Sequence, residues 1–249
     1  MKEALKRIEQ AVILVGGRGE RLRPLTDDAP KPLIPINGVP FLDYLIESMV
    51  AVGIKRILLL VGYKGEMIME RYGNSLSNGV QIGYSIGNVD DLTGRRLLNA
   101  YRMLDEVFLL LYGDNYWPVA LKDMLKLYRN KNAGVLMTLF SNKNGTGEYG
   151  WENNANVGGD CFVEKHDNTR MSEGLNTVGM GYYIMDKSCL NPEMESNISF
   201  EEGILSRLVS DRQVIGYITD EQYYYITNGK SLKDFEEYVI QRNVKAVQL

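Results

Sequence analysis

Cysteine and histidine are almost absent from this sequence: two of the first, Cys161 and Cys189, and one of the second, His166, in 249 residues. Two thiols cannot build a disulfide framework, and without a CxxC spacing they do not make a zinc site, so both read as ordinary core or surface thiols. A basic excess is missing too. The formal net charge is -4 and the pI is about 5.3, which argues against a surface built for a nucleic acid polymer or an anionic membrane. Long apolar runs are lacking as well, since the N-terminal "AVILV" at 11–15 is too short for a signal peptide or a membrane span. These absences predict a cytoplasmic protein. They leave room for a small polyanion held in a local basic pocket.

What the chain does have is core. With 45% hydrophobic residues it can bury a sizeable interior. Apolar runs at 11–15, 56–63, 80–86, 107–113 and 133–140 read as buried strands, several of them apolar on both faces. Between them, 40–53, 64–73, 93–105 and 121–132 space their apolar residues three or four apart and end near Gly or Asn, which is helical patterning with a stop. The alternation predicts an α/β fold: a Rossmann-like open sheet, mixed but mainly parallel and flanked by helices, with ligands at the carboxyl ends of the strands. After about residue 145 the texture becomes polar and loop-like. Tyr-rich strand candidates follow at 161–167, 177–185, 214–220 and 223–227, and helical spacing returns at 200–211 and 231–247. No linker or low-complexity tract intervenes, so the expectation is one domain over 1–249, with a first half at about 8–145 and a second at about 146–249.

The stretch "ILVGGRGERLRPLTDDAPKPL" (13–33) puts three glycines, three arginines, three prolines and a lysine behind the first strand. Gly16, Gly17 and Gly19 allow backbone conformations closed to other residues and leave amide hydrogens unobstructed, as a cradled anion requires. Arg18, Arg21, Arg23 and Lys31 add charge, Arg as a bidentate fork and Lys as a mobile point charge. Glycines alone also suit an ordinary strand-to-helix turn. Two familiar phosphate loops are excluded: no GK[ST] follows the glycines, and Gly17-Arg18-Gly19 lacks the third Gly of GxGxxG.

The complete string "GGRGERLRPLTDDAPKPL" resembles the GGxGxRLxPLT…PKPL signature of the sugar-1-phosphate nucleotidyltransferases, or nucleotide-diphospho-sugar pyrophosphorylases. The similarity continues through "GVPFLDYLIESMVAVGIKRILLLVGYKGEMIMERYG" and returns at "LLLYGDN" and "FVEKHD". It implies the family's fold and its reaction, in which an NTP and a sugar 1-phosphate give an NDP-sugar and pyrophosphate with Mg²⁺ as cofactor. The segments "ILVGG…RLRPLT" and "PFLDYL" are nearest to mannose- and heptose-1-phosphate guanylyltransferases, whereas Thr93-Gly94-x-Arg96 is more like glucose-1-phosphate cytidylyltransferases.

The resemblance implies a nucleotide site of Val15, Gly16, Gly17, Arg18, Gly19, Glu20, Arg21, Gly94, Gly113 and Asp114, with Arg21 and Lys31 as catalytic cations. Glu20 stands where many members carry Thr, and a carboxylate beside a triphosphate has to turn outward or join a metal shell. Asp114 matches the family's Mg²⁺ ligand, although a lone Asp at a strand end is also a common helix cap. A second acid is expected where Thr227 or Asn228 stands, leaving Asn228 as a neutral candidate ligand and Asp220 as a substitute. For the acceptor sugar the matches are Gly150 after Tyr149, Glu164 with Lys165, and Gly179 in place of a family Asn. His166 follows where the family has Pro and is assigned no catalytic role, because a phosphate dianion needs no general base. Arg95 and Arg96 could meet base carbonyl oxygens or form a basic helical turn facing solvent. A metabolite kinase and a noncatalytic nucleotide-sugar sensor that has lost its metal remain rival readings. Homo-oligomer formation is left open.

Overall fold

The computed structural model describes residues 7–194 and 196–246. Its strands are β1 (Gln10–Leu14), β2 (Pro35–Ile36), β3 (Val39–Pro40), β4 (Arg56–Val61), β5 (Gln81–Ile86), β6 (Val107–Tyr112), β7 (Asn115–Tyr116), β8 (Val135–Phe140), β9 (Ala155–Val157), β10 (Val163–His166), β11 (Val178–Asp186), β12 (Val214–Thr219) and β13 (Tyr224–Tyr225). Its α-helices are α1 (Leu25–Asp28), α2 (Phe41–Ala51), α3 (Gly65–Tyr72), α4 (Thr93–Asn99), α5 (Leu121–Asn130), α6 (Ser206–Ser210) and α7 (Gly229–Arg242). Seven strands form a sheet in the order β12-β8-β11-β6-β1-β4-β5. β1 pairs parallel with β4, β4 with β5 and β8 with β12, while β11 runs antiparallel to β8. The expected mixed, mainly parallel sheet flanked by helices is therefore present.

The chain forms two compact units that interleave along the sequence. One comprises Glu9–Asp91, Leu111–Val119 and the described residues from Tyr224; the other comprises Leu92–Leu110 and Ala120–Tyr223 with the described residues before Glu9.

In the first unit every residue of β1 is buried, and so are five of the six in β4, as apolar runs enclosed on both faces require. α2 buries Phe41, Tyr44 and Leu45, and α7 buries Phe235. The Phe235 ring lies 5.1 Å from Phe41, 5.7 Å from Tyr44 and 5.0 Å from Tyr116 between centroids. Tyr238 of α7 stacks on Tyr224 of β13 at 4.1 Å. Full burial of Phe235 contributes about 2–3 kcal/mol and ties α7 to the rest of this unit.

In the other unit β8 is wholly buried, and β11 carries Tyr182 and Tyr183 into the core. The register of β11 against β8 slips between Gly179 and Tyr183, where Gly181 takes φ +79. The helical pattern at 200–211 is realised as a π-helical turn, Phe200–Leu205, followed by α6. The helix expected over 231–247 runs from Gly229 to Arg242 and stops at Asn243 in the left-handed region; position 247 lies outside the described residues.

Candidate active site

The glycine loop leaves the end of β1 in the first unit. Val15 continues the strand and donates its amide to Leu60 O at 3.1 Å, and Gly16 O accepts from Tyr63 N at 3.0 Å. Gly17 is open, with nothing within 4 Å of where a Cβ would stand. Among the described residues no acceptor takes the amide hydrogens of Gly17, Arg18 or Gly19, so three donors remain for an anion. Gly19 has φ +66, which glycine alone adopts without cost, and its missing Cβ would lie 2.9 Å from Lys31 Cβ and 3.0 Å from Thr26 Cγ2. The chain then turns through Glu20–Leu22, with Glu20 and Arg21 exposed.

Several residues hold this loop that the sequence reading passed over. Buried Thr26 donates its hydroxyl to Gly19 O at 3.1 Å, the Tyr63 hydroxyl donates to Thr26 O at 3.3 Å, and Lys64 Nζ donates to Asp27 O at 2.5 Å. Arg18 Nη2 donates to Asp90 Oδ1 at 3.0 Å. The "PLT" and "GYK" strings were visible signals for Thr26, Tyr63 and Lys64; nothing local marked Asp90.

Lys31 opens a short 3-10 turn between Pro30 and Pro32, and its stem lies against Gly19. Its Nζ donates to Asp114 Oδ2 at 2.7 Å, the side chains being 12% and 30% exposed. Asp114 sits just past β6, after Gly113, whose absent Cβ would meet Leu14 O and Val15 Cγ1, each at 2.6 Å. Gly113 N donates to Leu14 O at 3.0 Å. That close approach sets the end of β6 beside the end of β1. Thus Val15, Gly16–Gly19, Lys31, Gly113 and Asp114 come together in one unit.

The segment from Tyr224 also reaches Asp114: β13 pairs antiparallel with β7, and Ile226 N donates to Asp114 O at 3.0 Å. Asn228 has a different task from the one its position implied. Its Oδ1 accepts from Lys230 N and Ser231 N, both at 3.0 Å, in a capping box that starts α7. With those lone pairs committed, Asn228 is a helix cap and offers no spare side-chain oxygen to a cation. Asp220 belongs to the other unit, where it accepts from Lys143 Nζ at 2.8 Å. Among the described residues no group of three or more His, Cys, Asp or Glu is placed to hold a metal. A single carboxylate still suits magnesium arriving with phosphate, since that ion takes one or two carboxylates and completes its shell with phosphate oxygens and water.

Gly94, Gly150, Glu164, Lys165 and Gly179 belong to the other unit. Gly94 is buried where a Cβ would stand 2.9 Å from both Ile198 O and Ser199 O. Arg95 N donates to Ile198 O at 3.1 Å, and Thr93 Oγ1 accepts from Phe200 N at 2.8 Å. The Arg95 guanidinium reaches Met194 O, and Arg96 is 4% exposed. Of the two readings left open for Arg95 and Arg96, the basic turn facing solvent does not hold. These residues dock α4 onto the segment before the π-helical turn, 99 residues away in sequence in the case of Arg95 and Met194.

Gly150 takes φ +63, and its carbonyl accepts from Asn142 Nδ2 at 2.9 Å. Glu164 and Lys165 are exposed on β10, with Lys165 Nζ donating to Glu173 O at 3.3 Å. Gly179 N donates to Asn154 Oδ1 at 2.8 Å, a buried amide that the sequence did not single out. Burial, reinforced by the Arg170 charge against a weaker opposing effect of Asp167, pushes the His166 pKa down to about 4.

The sequence profile of the family described as Nucleotidyl transferase matches residues 10–230. The chain belongs to that family. This nucleotidyl transferase is 31% identical over 238 residues to the D-glycero-alpha-D-manno-heptose 1-phosphate guanylyltransferase of Aneurinibacillus thermoaerophilus, covering 92% of this chain and 100% of that one. It is 31% identical over 194 residues to the enzyme of the same description from Campylobacter jejuni, covering 78% and 83%. Among solved structures, HddC from Yersinia pseudotuberculosis complexed with GMP-PN superposes with TM-score 0.74 at 22% identity, covering 93% of this chain and 99% of that one. That last likeness is one of fold. Among the described residues no helix is long and apolar enough to cross a membrane.

Proposed function

We propose that this sugar-1-phosphate nucleotidyltransferase transfers a guanylyl group from GTP to a heptose or mannose 1-phosphate. The family membership and the two heptose-1-phosphate guanylyltransferases, each matched over most of its length, support the reaction class and the choice of GTP. The observation that carries the chemistry is the meeting of Lys31 with Asp114 beside three unclaimed loop amides.

A phosphate oxygen of the sugar 1-phosphate forms a bond to the α-phosphorus of GTP; the bond to the β-phosphate oxygen breaks, and pyrophosphate leaves with that electron pair. The nucleophile is already a dianion, so no side chain has to remove a proton. What the chain has to supply is positive charge, because two polyanions must approach each other. The amides of Gly17, Arg18 and Gly19 and the side chains of Arg18 and Arg21 hold the triphosphate. Lys31 neutralises the phosphates being joined. Asp114 would hold Mg²⁺ together with triphosphate oxygens, and the metal's contribution when bound is to neutralise charge on the triphosphate. Glu164 and Lys165 serve the acceptor, Glu164 on sugar hydroxyls and Lys165 on its phosphate, with the Gly150 and Gly179 backbones along the ring.

The test is pyrophosphate release with each of four NTPs against a panel of sugar 1-phosphates, with Mg²⁺. Turnover is expected with GTP and a heptose or mannose 1-phosphate, and Asp114→Asn should abolish it. Release of NDP would mean γ-phosphoryl transfer. Silence with intact nucleotide binding would mean a sensor. Either result overturns the proposal, and preference for CTP with glucose 1-phosphate would overturn its choice of substrates.

A further inference from the structure

The carboxylate to which the functional reading gives the metal is not free in this structure. Lys31 Nζ lies 2.7 Å from Asp114 Oδ2. The lysine is also poorly placed to leave. Pro30 and Pro32 flank it, its stem packs on Gly19, and its side chain is only 12% exposed.

A divalent cation bound directly to the same carboxylate would stand a few ångströms from the ammonium, in a partly desolvated place where like charges repel strongly. Asp114 alone cannot compensate, because one negative charge faces three positive ones. A triphosphate brings enough negative charge for the lysine and the metal to share, so its arrival changes competition into joint binding. Arg18 is treated in the same way, its guanidinium held by Asp90 at 3.0 Å. That pair is largely exposed and contributes little.

We propose that, in the nucleotide-free protein, Lys31 takes the electrostatic place of the divalent cation on Asp114, so that free metal is kept off the carboxylate and metal and nucleoside triphosphate enter cooperatively. The inference rests on the functional reading and adds to it a residue that decides in what form the metal is admitted. By linkage, whatever factor GTP adds to metal affinity the metal adds to GTP affinity, and removing the lysine charge reduces that shared factor.

Mn²⁺ binding followed by electron paramagnetic resonance tests this without turnover. Wild type should bind Mn²⁺ weakly alone and tightly with GTP. Lys31→Met, which keeps the stem against Gly19, should bind Mn²⁺ alone roughly tenfold more tightly than wild type, and Lys31→Arg should stay near wild type. Adding Asp114→Asn to Lys31→Met should erase the gain. A second measurement does not depend on how Lys31→Met folds: Asp114→Asn alone should bind metal-free GTP several-fold more tightly, since the lysine is released and a repelling carboxylate removed. Nucleotide-free Mn²⁺ affinity of Lys31→Met within about twofold of wild type, or a gain that survives Asp114→Asn, overturns the inference while leaving the functional reading intact. If no form holds Mn²⁺ with GTP beyond the Mn²⁺–GTP complex that forms without protein, the functional reading fails and takes the inference with it.

Discussion

Gly113→Ala is the substitution for which the structure fixes the outcome most tightly. The added methyl would stand 2.6 Å from Leu14 O and 2.6 Å from Val15 Cγ1, with Leu14 C at 3.3 Å. Ordinary carbon contacts begin about an ångström farther out. The nearest atom is backbone, so no rotamer change relieves the contact, and the end of β6 must move away from β1. Overpacking of this kind costs about 1–3 kcal/mol. Losing the Gly113 N to Leu14 O bond, 3.0 Å in the parent, adds about 1 kcal/mol. A loss of roughly 2–4 kcal/mol in a chain of this size lowers the melting temperature by roughly 5–15 °C. Because Asp114 is the next residue, GTP affinity in the presence of Mg²⁺ should fall as well. Gly17→Ala is the control for stability, since nothing lies within 4 Å of its new methyl. Thermal melts and calorimetric GTP titration read both quantities. A Gly113→Ala protein that melts within about 1 °C of the parent and binds GTP unchanged would show that the close approach of the two strand ends does not position Asp114.

Asn228→Ala should cost about 1 kcal/mol through the lost capping box of α7, seen in a thermal melt, while the Mg²⁺ concentration for half-maximal activity stays put; a large rise in that concentration would return Asn228 to the metal. Asp43 is 1% exposed and accepts from Arg71 Nη2 at 2.6 Å and from the Tyr72 hydroxyl, so Asp43→Ala should destabilise by about 3 kcal/mol or more, and a loss below about 1 kcal/mol in urea denaturation would refute the pairing. His166 predicts a pH effect. Its pKa falls from 6.5 to about 4 on folding, so the folded state refuses a proton that the unfolded chain takes up. Stability therefore declines as pH drops from about 6.5 to about 4, by about 3 kcal/mol in all. His166→Gln should flatten that part of the curve, and an unchanged curve of melting temperature against pH would rule out the half-buried neutral imidazole.

The local content of the sequence determined a good deal. Apolar runs enclosed on both faces marked β1, β4, β6 and β8, and three-to-four spacing marked α2, α3 and α5, because periodicity is imposed by the element itself. The glycines and cations after β1, and the Asp after β6, were legible because a phosphate loop needs special backbone and charge within a few consecutive residues. What no local pattern could supply was the pairing. Lys31 meets Asp114 across 83 residues and Arg18 meets Asp90 across 72. The order of strands in the sheet decides which loop ends become neighbours, and that order depends on packing over the whole chain. The same holds for Asn228, whose side-chain oxygen belongs to α7 once the helix begins at Gly229, and for Gly94 and Arg95, which serve a backbone contact about a hundred residues away. Residue type announced which groups could carry charge or turn the chain; only the tertiary structure decided which partner each of them has, because a hydrogen bond forms between neighbours in space, whatever their distance in sequence.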